Sequence, residues 1–253
     1  MHKLISIVHM EYKIQIKRFA TWGFFFAVTF IALLDNFPSS ANMARLEFLT
    51  QPSYFIYRIV SLSSLLLFFG LLFLSSNRFS LDQKTGMKSL FMSAPLGKGQ
   101  YVWGKLLGTF FYIFTLFVLF LLLNTLIYIV FVPTEASMVD YAIPLVKSVV
   151  VIGLSASLFV SFCSVALPVL MDIRLFYLLA SALFILDATM VGSAKSMPFY
   201  LIVSGDLVKL IWQHPDFPFS DAGSIVANLL FLLTCGFLAS LLLLCKRGFW
   251  RTE

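Results

Sequence analysis

Long apolar runs separated by short polar segments dominate the chain. Six runs are each long enough to cross a bilayer, which needs roughly 20 apolar residues in a helix. They cover residues 19–37, 56–76, 106–132, 144–170, 175–193 and 224–245. Leu and Phe dominate each run, and the runs are continuous rather than alternating, which favours helices over the strands of a barrel. The pattern predicts an all-α membrane protein with six transmembrane helices in a single domain, residues 1–253.

Composition and charge support this class and give it an orientation. Apolar residues make up 60% of the chain and charged residues only 12%, and the mean hydropathy is +0.95, outside the usage of soluble domains. Most of the 18 lysine and arginine residues fall in segments that are cytoplasmic if both ends of the chain lie inside. The positive-inside rule therefore predicts an N-in, C-in topology. The same rule explains the net charge of +6, so we expect no nucleic-acid partner.

Two segments outside the runs have recognisable patterns. Residues 1–18 place polar and apolar side chains on opposite helical faces, which predicts an amphipathic helix in the inner headgroup layer with its lysines toward anionic membrane lipid. This helix could serve either as a simple membrane anchor or as a docking site for a partner, and the sequence favours neither role. Residues 193–223 contain an apolar stretch that carries charges and is too short to span, which predicts one or two external re-entrant helices before the last span.

The polar segment 77–105, between the second and third runs, carries the most distinctive sequence. Gly99 to Lys105 fit the first seven positions of the phosphate-binding pattern GxxxxGK[ST]. Leu106, however, replaces the hydroxyl residue that would bind Mg²⁺, and a membrane run follows at once. We therefore expect no nucleotide site here. The segment predicts instead a short cytoplasmic helix from Leu81 to Met92, stopped by Pro95, and then a turn at Gly97 and Gly99. Aromatic residues at the headgroup level would follow the turn.

Several residues of this segment form a pattern of the type G…L…PL…Y..GK..G. They are Lys84-Thr-Gly86, Leu90, Ala94-Pro95-Leu96, Gln100-Tyr101 and Gly104-Lys105-Leu106-Leu107-Gly108. In this pattern, and in the arrangement of its spans, the chain resembles the permease subunits of type-2 ABC exporters. That family often has an acidic residue just before the first glycine, where this chain has Gln83-Lys84, with Asp82 the nearest acid.

The resemblance implies a coupling helix, roughly Leu81 to Ala94, that docks into a groove of a separate ABC ATPase subunit. The implied docking residues are Lys84, Gly86, Lys88, Leu90, Phe91, Ala94, Pro95 and Leu96. ATP and Mg²⁺ are then expected in the ATPase subunit, and neither a cofactor nor a catalytic residue in this chain. A plain solvated loop is the alternative for this segment.

The resemblance also implies the setting of the protein. It implies a multi-pass protein of the bacterial cytoplasmic (inner) membrane that works with a second permease copy, as a homodimer or related heterodimer. The expected activity is export of a hydrophobic or amphipathic substrate, with a peptide or bacteriocin-like molecule as the first hypothesis.

Asp187 is the candidate polar site within the spans, because a carboxylate at depth is usually paired or faces water. A substrate contact or gate near the outer mouth and a purely structural carboxylate are both open. Two other functions are compatible with the pattern. One is a membrane scaffold or sensor that docks a non-ATPase cytoplasmic partner, and the other is a small membrane enzyme of unrecognised type.

Overall fold

The computed structural model describes residues 2–39, 50–76, 78–84, 86, 97–132, 136–191 and 222–246. Within these ranges the chain forms helices and short connections, and no strand occurs. The predicted all-helical class is confirmed for this part of the chain. Two helices, Phe19–Asn36 and Lys98–Phe131, are each long and apolar enough to cross a membrane.

The helices follow the predicted apolar runs. They are α1 (His2–Ile16), α2 (Phe19–Asn36), α3 (Pro52–Arg58), α4 (Ser64–Ser75), α5 (Arg78–Lys84), α6 (Lys98–Phe131), α7 (Met138–Ser148), α8 (Leu154–Leu170), α9 (Ile173–Val191) and α10 (Ala222–Cys245). Two π-helical segments, Ile59–Ser63 and Val149–Gly153, join α3 to α4 and α7 to α8 without a break. Each predicted run therefore coincides with one helix or with two helices joined by a π turn.

The α3 and α7 helices begin earlier than the apolar runs indicate, as does α6. Proline is well suited to the first turn of a helix, and α3 begins at Pro52. At the start of α7, the backbone N–H and the hydroxyl of Ser137 both donate to Asp140 Oδ2, at 2.8 and 2.9 Å. Such capping satisfies backbone groups that the first turn leaves unpaired. Proline in the first turn of α3 and capping at the start of α7 thus extend these helices into segments that hydrophobicity alone leaves as loops.

Aromatic stacking sets the core where α3, α4 and α6 meet. The rings of Phe55 and Tyr128 stack with centroids 3.8 Å apart, and those of Phe68 and Phe117 stack at 4.9 Å. All four side chains are buried. Phe55 precedes Phe68 along α3 and α4, whereas its partner Tyr128 follows Phe117 along α6. The joined helices α3–α4 therefore run antiparallel to α6.

The outer surface of the bundle is apolar, whereas hydroxyl groups lie inside. Phe19, Val130 and Leu178 are 90%, 76% and 66% exposed, while Ser64 and Thr109 are fully buried. A contiguous exposed apolar surface marks contact with lipid or with another protein. The described part of the bundle thus combines an apolar core that includes hydroxyl groups with many large apolar side chains on its surface.

The connection between the fourth and fifth runs, Met171 to Arg174, is so short that the sequence predicts packing of these two spans along their lengths, and this prediction is wrong. The α8 helix packs chiefly against α10, α6 and α4, and its contact with α9 is limited. At Gly236 of α10 an added Cβ would lie 2.7 Å from the Phe162 ring, so the missing side chain lets α8 approach α10 closely. A cavity of about 170 Å³ lies between α4, α8 and α9.

Two glycines bring α1 against α6. An added Cβ at Gly104 would lie 2.5 Å from Ile7 Cγ2, and one at Gly108 would lie 2.6 Å from Glu11 Cβ and 2.9 Å from the Val8 carbonyl oxygen. Residues four apart share one face of a helix, so the pair forms a flat strip on α6. Small residues at this spacing let helix backbones approach closely.

We expect Gly108→Ala to lower the melting temperature of the purified protein, because the new methyl group would press on backbone as well as on Glu11. Gly99→Ala on the same helix is the matched control, since nothing lies within 4 Å of an added Cβ there. Because Gly99 lies in the first turn of α6, that change should raise stability by no more than about 0.5 kcal/mol, less than the gain of alanine over glycine in a helix interior. Equal effects of the two substitutions would contradict the close packing of α1 on α6.

Candidate functional site

Four charged side chains are buried together where α1, α5 and the start of α6 meet. They are Glu11, Arg78, Asp82 and Lys105, and we call them the charged cluster. Glu11 and Lys105 each have a side chain 2% exposed, Arg78 one 4% exposed and Asp82 one 11% exposed. Buried charges are stable only when they are paired and hydrogen-bonded, so the contacts of the cluster decide how these helices sit together.

The four charges alternate in sign. Arg78 Nε lies 2.5 Å from Glu11 Oε1, and Lys105 Nζ lies 2.9 Å from Glu11 Oε2. Lys105 Nζ also lies 2.7 Å from Asp82 Oδ2. Glu11 therefore bridges the two cations and Lys105 bridges the two carboxylates, and the formal charge of the cluster is zero.

Neutral side chains complete the hydrogen bonding of the cluster. Tyr101 OH donates to Asp82 Oδ2 at 2.5 Å, and Gln15 Nε2 donates to Glu11 Oε1 at 2.8 Å. Gln15 is held in turn by Thr109 Oγ1 at 2.8 Å and by the Ser75 hydroxyl, which donates to its Oε1 at 3.3 Å. The network thus reaches from α1 to α6 and to the end of α4.

Electrostatics keep Glu11 ionised. Burial alone would raise the pKa of its carboxyl, but the charge of Lys105 and the hydrogen bond and charge of Arg78 together outweigh burial and lower the pKa to about 2. A carboxylate between two cations behaves in this way. Glu11 is therefore a permanent anion at neutral pH.

Helical spacing explains how three separate segments supply the site. Glu11 and Gln15 are four residues apart on α1, and Arg78 and Asp82 are four apart on α5. On α6, Tyr101, Lys105 and Thr109 repeat the interval twice. Residues at this spacing lie on one helical face, so each helix presents its polar residues to the same junction.

The C-terminal part of the segment 77–105 differs from its predicted structure. Residues 98–105, expected as a turn and an aromatic collar, form the first turns of α6, and Gly99 is helical. Gly97 precedes the helix in an extended conformation, and its N–H donates to Gln100 Oε1 at 3.2 Å. Since Gly99 to Lys105 is helical and Lys105 is ion-paired, the GxxxxGK pattern forms no phosphate-binding loop here.

The helix predicted to begin at Leu81 begins three residues earlier, at Arg78, and ends far sooner than expected. The α5 helix ends at Lys84, and Gly86 is exposed with a φ of 71°. A left-handed glycine just after a helix is a common termination signal, since other residues adopt this conformation reluctantly. The prediction of one unbroken helix from Leu81 to Met92 is therefore wrong at Gly86.

Most of the predicted docking residues fall outside the described part of the chain. These are Lys88, Leu90, Phe91, Ala94, Pro95 and Leu96. The backbones of Lys84 and Asp187 lie on α5 and α9, but their side chains are outside what the structure describes. The predicted re-entrant segment 193–223 also lies outside it, apart from the first residues of α10.

The predicted N-terminal helix is present as α1, but the sequence did not predict its buried face. Its lysines and His9 are exposed as expected, whereas Ile7, Glu11 and Gln15 form a buried stripe against α6. Two signals in the sequence point to this stripe. Glu11 is the only acidic residue before Asp35, and Gly104 and Gly108 mark a close-packing face on α6.

Comparison of the chain with protein-family models, with curated proteins and with solved structures yields no match.

We expect Glu11→Gln to destabilise the protein by about 3–5 kcal/mol, because removing one partner of a buried ion pair leaves uncompensated charge. Thermal unfolding in detergent, followed by circular dichroism, measures the loss. Lys13→Gln, on the exposed face of the same helix, is the matched control and should change stability by no more than about 0.5 kcal/mol. Unchanged melting of Glu11→Gln would contradict a structural role of the charged cluster.

The contribution of Glu11 should depend on pH in a defined direction. Its pKa is lower in the folded protein than the ordinary value of 4.5, so the stabilisation is complete above that value and is lost as the pH falls toward about 2. The melting temperatures of the wild-type protein and of Glu11→Gln should therefore converge between about pH 4.5 and about pH 2. A constant difference over this range would contradict the ion pairing of Glu11.

Proposed function

We propose that the chain is the transmembrane permease subunit of an ABC exporter, driven by ATP hydrolysis in a separate subunit. The observation that carries the proposal is the charged cluster, which fastens both ends of the segment between α5 and α6 to the N-terminal helix. This segment holds the residues that resemble the ATPase-docking pattern of that family.

Helix lengths and surface composition support a membrane domain with six spans. The joined path α3–α4 has helical stretches of 7, 5 and 12 residues, and α7–α8 has 11, 5 and 17. The α9 and α10 helices have 19 and 24 residues. At 1.5 Å per residue these paths are comparable with a hydrocarbon core about 30 Å thick. The exposed apolar side chains would then contact lipid or a second copy.

The positions of basic residues support the N-in, C-in orientation. Arg18, Arg78 and Lys105 lie at the end of the bundle where α1, α5 and the start of α6 meet. Lys246, at the end of α10, reaches the same end, where Nζ donates to the Val169 carbonyl oxygen at 2.5 Å. Placing this end in the bacterial cytoplasm satisfies the positive-inside rule.

The cluster offers a physical route for coupling. A push on the segment between Gly86 and Gly97 would act on α5, because Arg78 is paired with Glu11 and Asp82 with Lys105. It would also act on α6, because Lys105 is paired with both carboxylates. The α6 helix is 34 residues long, so its movement would reach the opposite side of the membrane. ATP-driven motion of the partner could in this way bias the permease between two states.

The remaining assignments follow from the same proposal. ATP and Mg²⁺ would be bound by the ATPase subunit, and two permease copies would assemble with it. The exported molecule would be hydrophobic or amphipathic, with a peptide or bacteriocin-like toxin as the first candidate. Asp187, on the later part of α9, would serve as a polar site toward the outer mouth.

Docking can be tested with an ATPase that a neighbouring reading frame encodes with a Walker A motif. We expect Leu90→Asp and Leu96→Asp to abolish co-purification and ATP turnover of the reconstituted complex, because a charge would enter an apolar contact. Ser93→Asp adds the same charge at a polar position of the same segment and is the matched control. Membrane insertion of all three variants should be unchanged.

Two results would count against the proposal. Retained co-purification of the Leu90 and Leu96 variants would remove this segment as the docking site. A wild-type chain that binds a cytoplasmic partner without any ATP turnover would favour the scaffold or sensor function instead.

A further inference from the structure

The cavity between α4, α8 and α9 has an entirely non-polar lining. Leu72 contributes from α4, Cys163 from α8, and Phe176 and Leu179 from α9, and every other lining side chain is also apolar or contains sulfur. An apolar cavity of about 150 Å³ is large enough to hold benzene, so one of about 170 Å³ can hold a segment of hydrocarbon. A ligand there would meet only apolar and sulfur-containing side chains of the described residues.

The cavity opens toward the apolar surface of the bundle. Leu179 and Leu183 line it and are 42% and 41% exposed, so they stand at its mouth. Leu175 and Leu178, on neighbouring turns of α9, are 48% and 66% exposed. A hydrocarbon chain would therefore enter from the surface that we assign to lipid.

Polar groups lie at the end of α4 and the start of α9, next in sequence to residues that line the cavity. Arg18 Nη1 donates to the carbonyl oxygen of Leu74 at 3.3 Å, two residues along α4 from the lining residue Leu72. Ser76 Oγ donates to Tyr177 OH at 3.1 Å, and Tyr177 directly follows the lining residue Phe176. A cation and two hydroxyl groups are thus available at these helix ends for a headgroup.

Arg18 brings a positive charge that the neighbouring side chains do not balance. The charged cluster is neutral by itself, and in the described part of the chain no carboxylate forms an ion pair with Arg18. Burial and the repulsion of Arg78 lower the pKa of the Arg18 guanidinium, although Glu11 partly opposes this. The guanidinium has five N–H donors, and its contact with Leu74 uses one. An anion would complete this site.

We infer that these two features form one phospholipid site, in which an acyl chain fills the cavity and the phosphate of an anionic headgroup contacts Arg18 beside Tyr177. The occupant is a phospholipid of the inner leaflet. Arginine binds phosphate through parallel N–H donors, and an acyl chain supplies the hydrocarbon that the cavity requires. The inference rests on the membrane placement proposed above, but not on the ATPase partner.

Bound lipid would also explain how α9 is held. Because α9 has limited contact with α8, an acyl chain between α4, α8 and α9 would supply packing that side chains do not. Because the lipid would bind only the folded protein, stability would rise with the logarithm of the lipid concentration once that exceeds the dissociation constant.

The test is lipid binding by the full chain purified in detergent and delipidated, measured by native mass spectrometry and by thermal stabilisation. We expect phosphatidylglycerol to bind, and diacylglycerol with the same chains or glycerol phosphate alone to bind at least about tenfold more weakly. A charge-assisted hydrogen bond accounts for a loss of this size. Equal binding of phosphatidylglycerol and diacylglycerol would overturn the headgroup site.

Matched substitutions separate the two halves of the site. Arg18→Gln should weaken phosphatidylglycerol binding by about tenfold, Arg18→Lys should restore part of it, and Lys17→Gln should have no effect. Leu179→Trp, at the mouth, should block binding, whereas Leu186→Trp, 47% exposed on the same helix and outside the lining, should not. Equal binding by all variants would indicate lipid of the detergent belt only and would overturn the inference.

Cys163 supplies a readout that does not depend on mass spectrometry. The chain has 3 cysteines, so Cys235→Ser with Cys245→Ser leaves Cys163 as the only thiol. Phosphatidylglycerol should slow its reaction with N-ethylmaleimide severalfold, and diacylglycerol should not. An unchanged rate would contradict occupation of the cavity, even if Leu179→Trp fails to fold.

The outcomes also distinguish the two proposals. A chain recovered outside the membrane fraction would contradict both. A membrane-embedded chain that binds phosphatidylglycerol but has no ATPase partner would contradict only the exporter function.

Discussion

The buried carboxylate of Glu11 is the constraint on which the junction of α1, α5 and α6 depends. Its two oxygens are shared between Arg78 and Lys105, and a charge removed from water is stable only with such partners. The pairing fixes the position of α1 along α6 and holds α5 beneath them. It is possible only because Gly104 and Gly108 let the two helices approach, so the steric and electrostatic requirements are met together.

The bundle is held in two different ways on its two sides. Around α1, α5 and α6, buried ion pairs and close glycine contacts make a compact junction. On the side of α9, contact with α8 is limited and a cavity takes the place of side-chain packing. In the functions proposed here, the compact junction would receive motion from a cytoplasmic partner, and the looser side would exchange contacts with lipid. Arg18 lies between the two sides. Its guanidinium donates a hydrogen bond to the Leu74 carbonyl oxygen of α4, and its charge interacts with Arg78 and Glu11 of the charged cluster.

The motif at Gly99 to Lys105 shows how a local pattern can mislead. The spacing fits a phosphate-binding loop, yet these residues form a helix and Lys105 is directed to Glu11 and Asp82. Gly104 is required for helix packing and not for approach to a phosphate. Helical context changes the meaning of the glycines, because without a loop there is no row of free backbone N–H groups to bind an anion.

The sequence by itself determined the helical class, the positions of the apolar helices and the existence of the N-terminal helix. These features depend on hydrophobicity and periodicity over neighbouring residues, which are local properties. Only the tertiary structure decided that Glu11 pairs with residues 67 and 94 positions away. It also decided that α5 ends before Gly86 and that α8 packs on α10 rather than α9. Such choices depend on which distant surfaces fit together and on which buried charges find partners, and no local pattern contains that information.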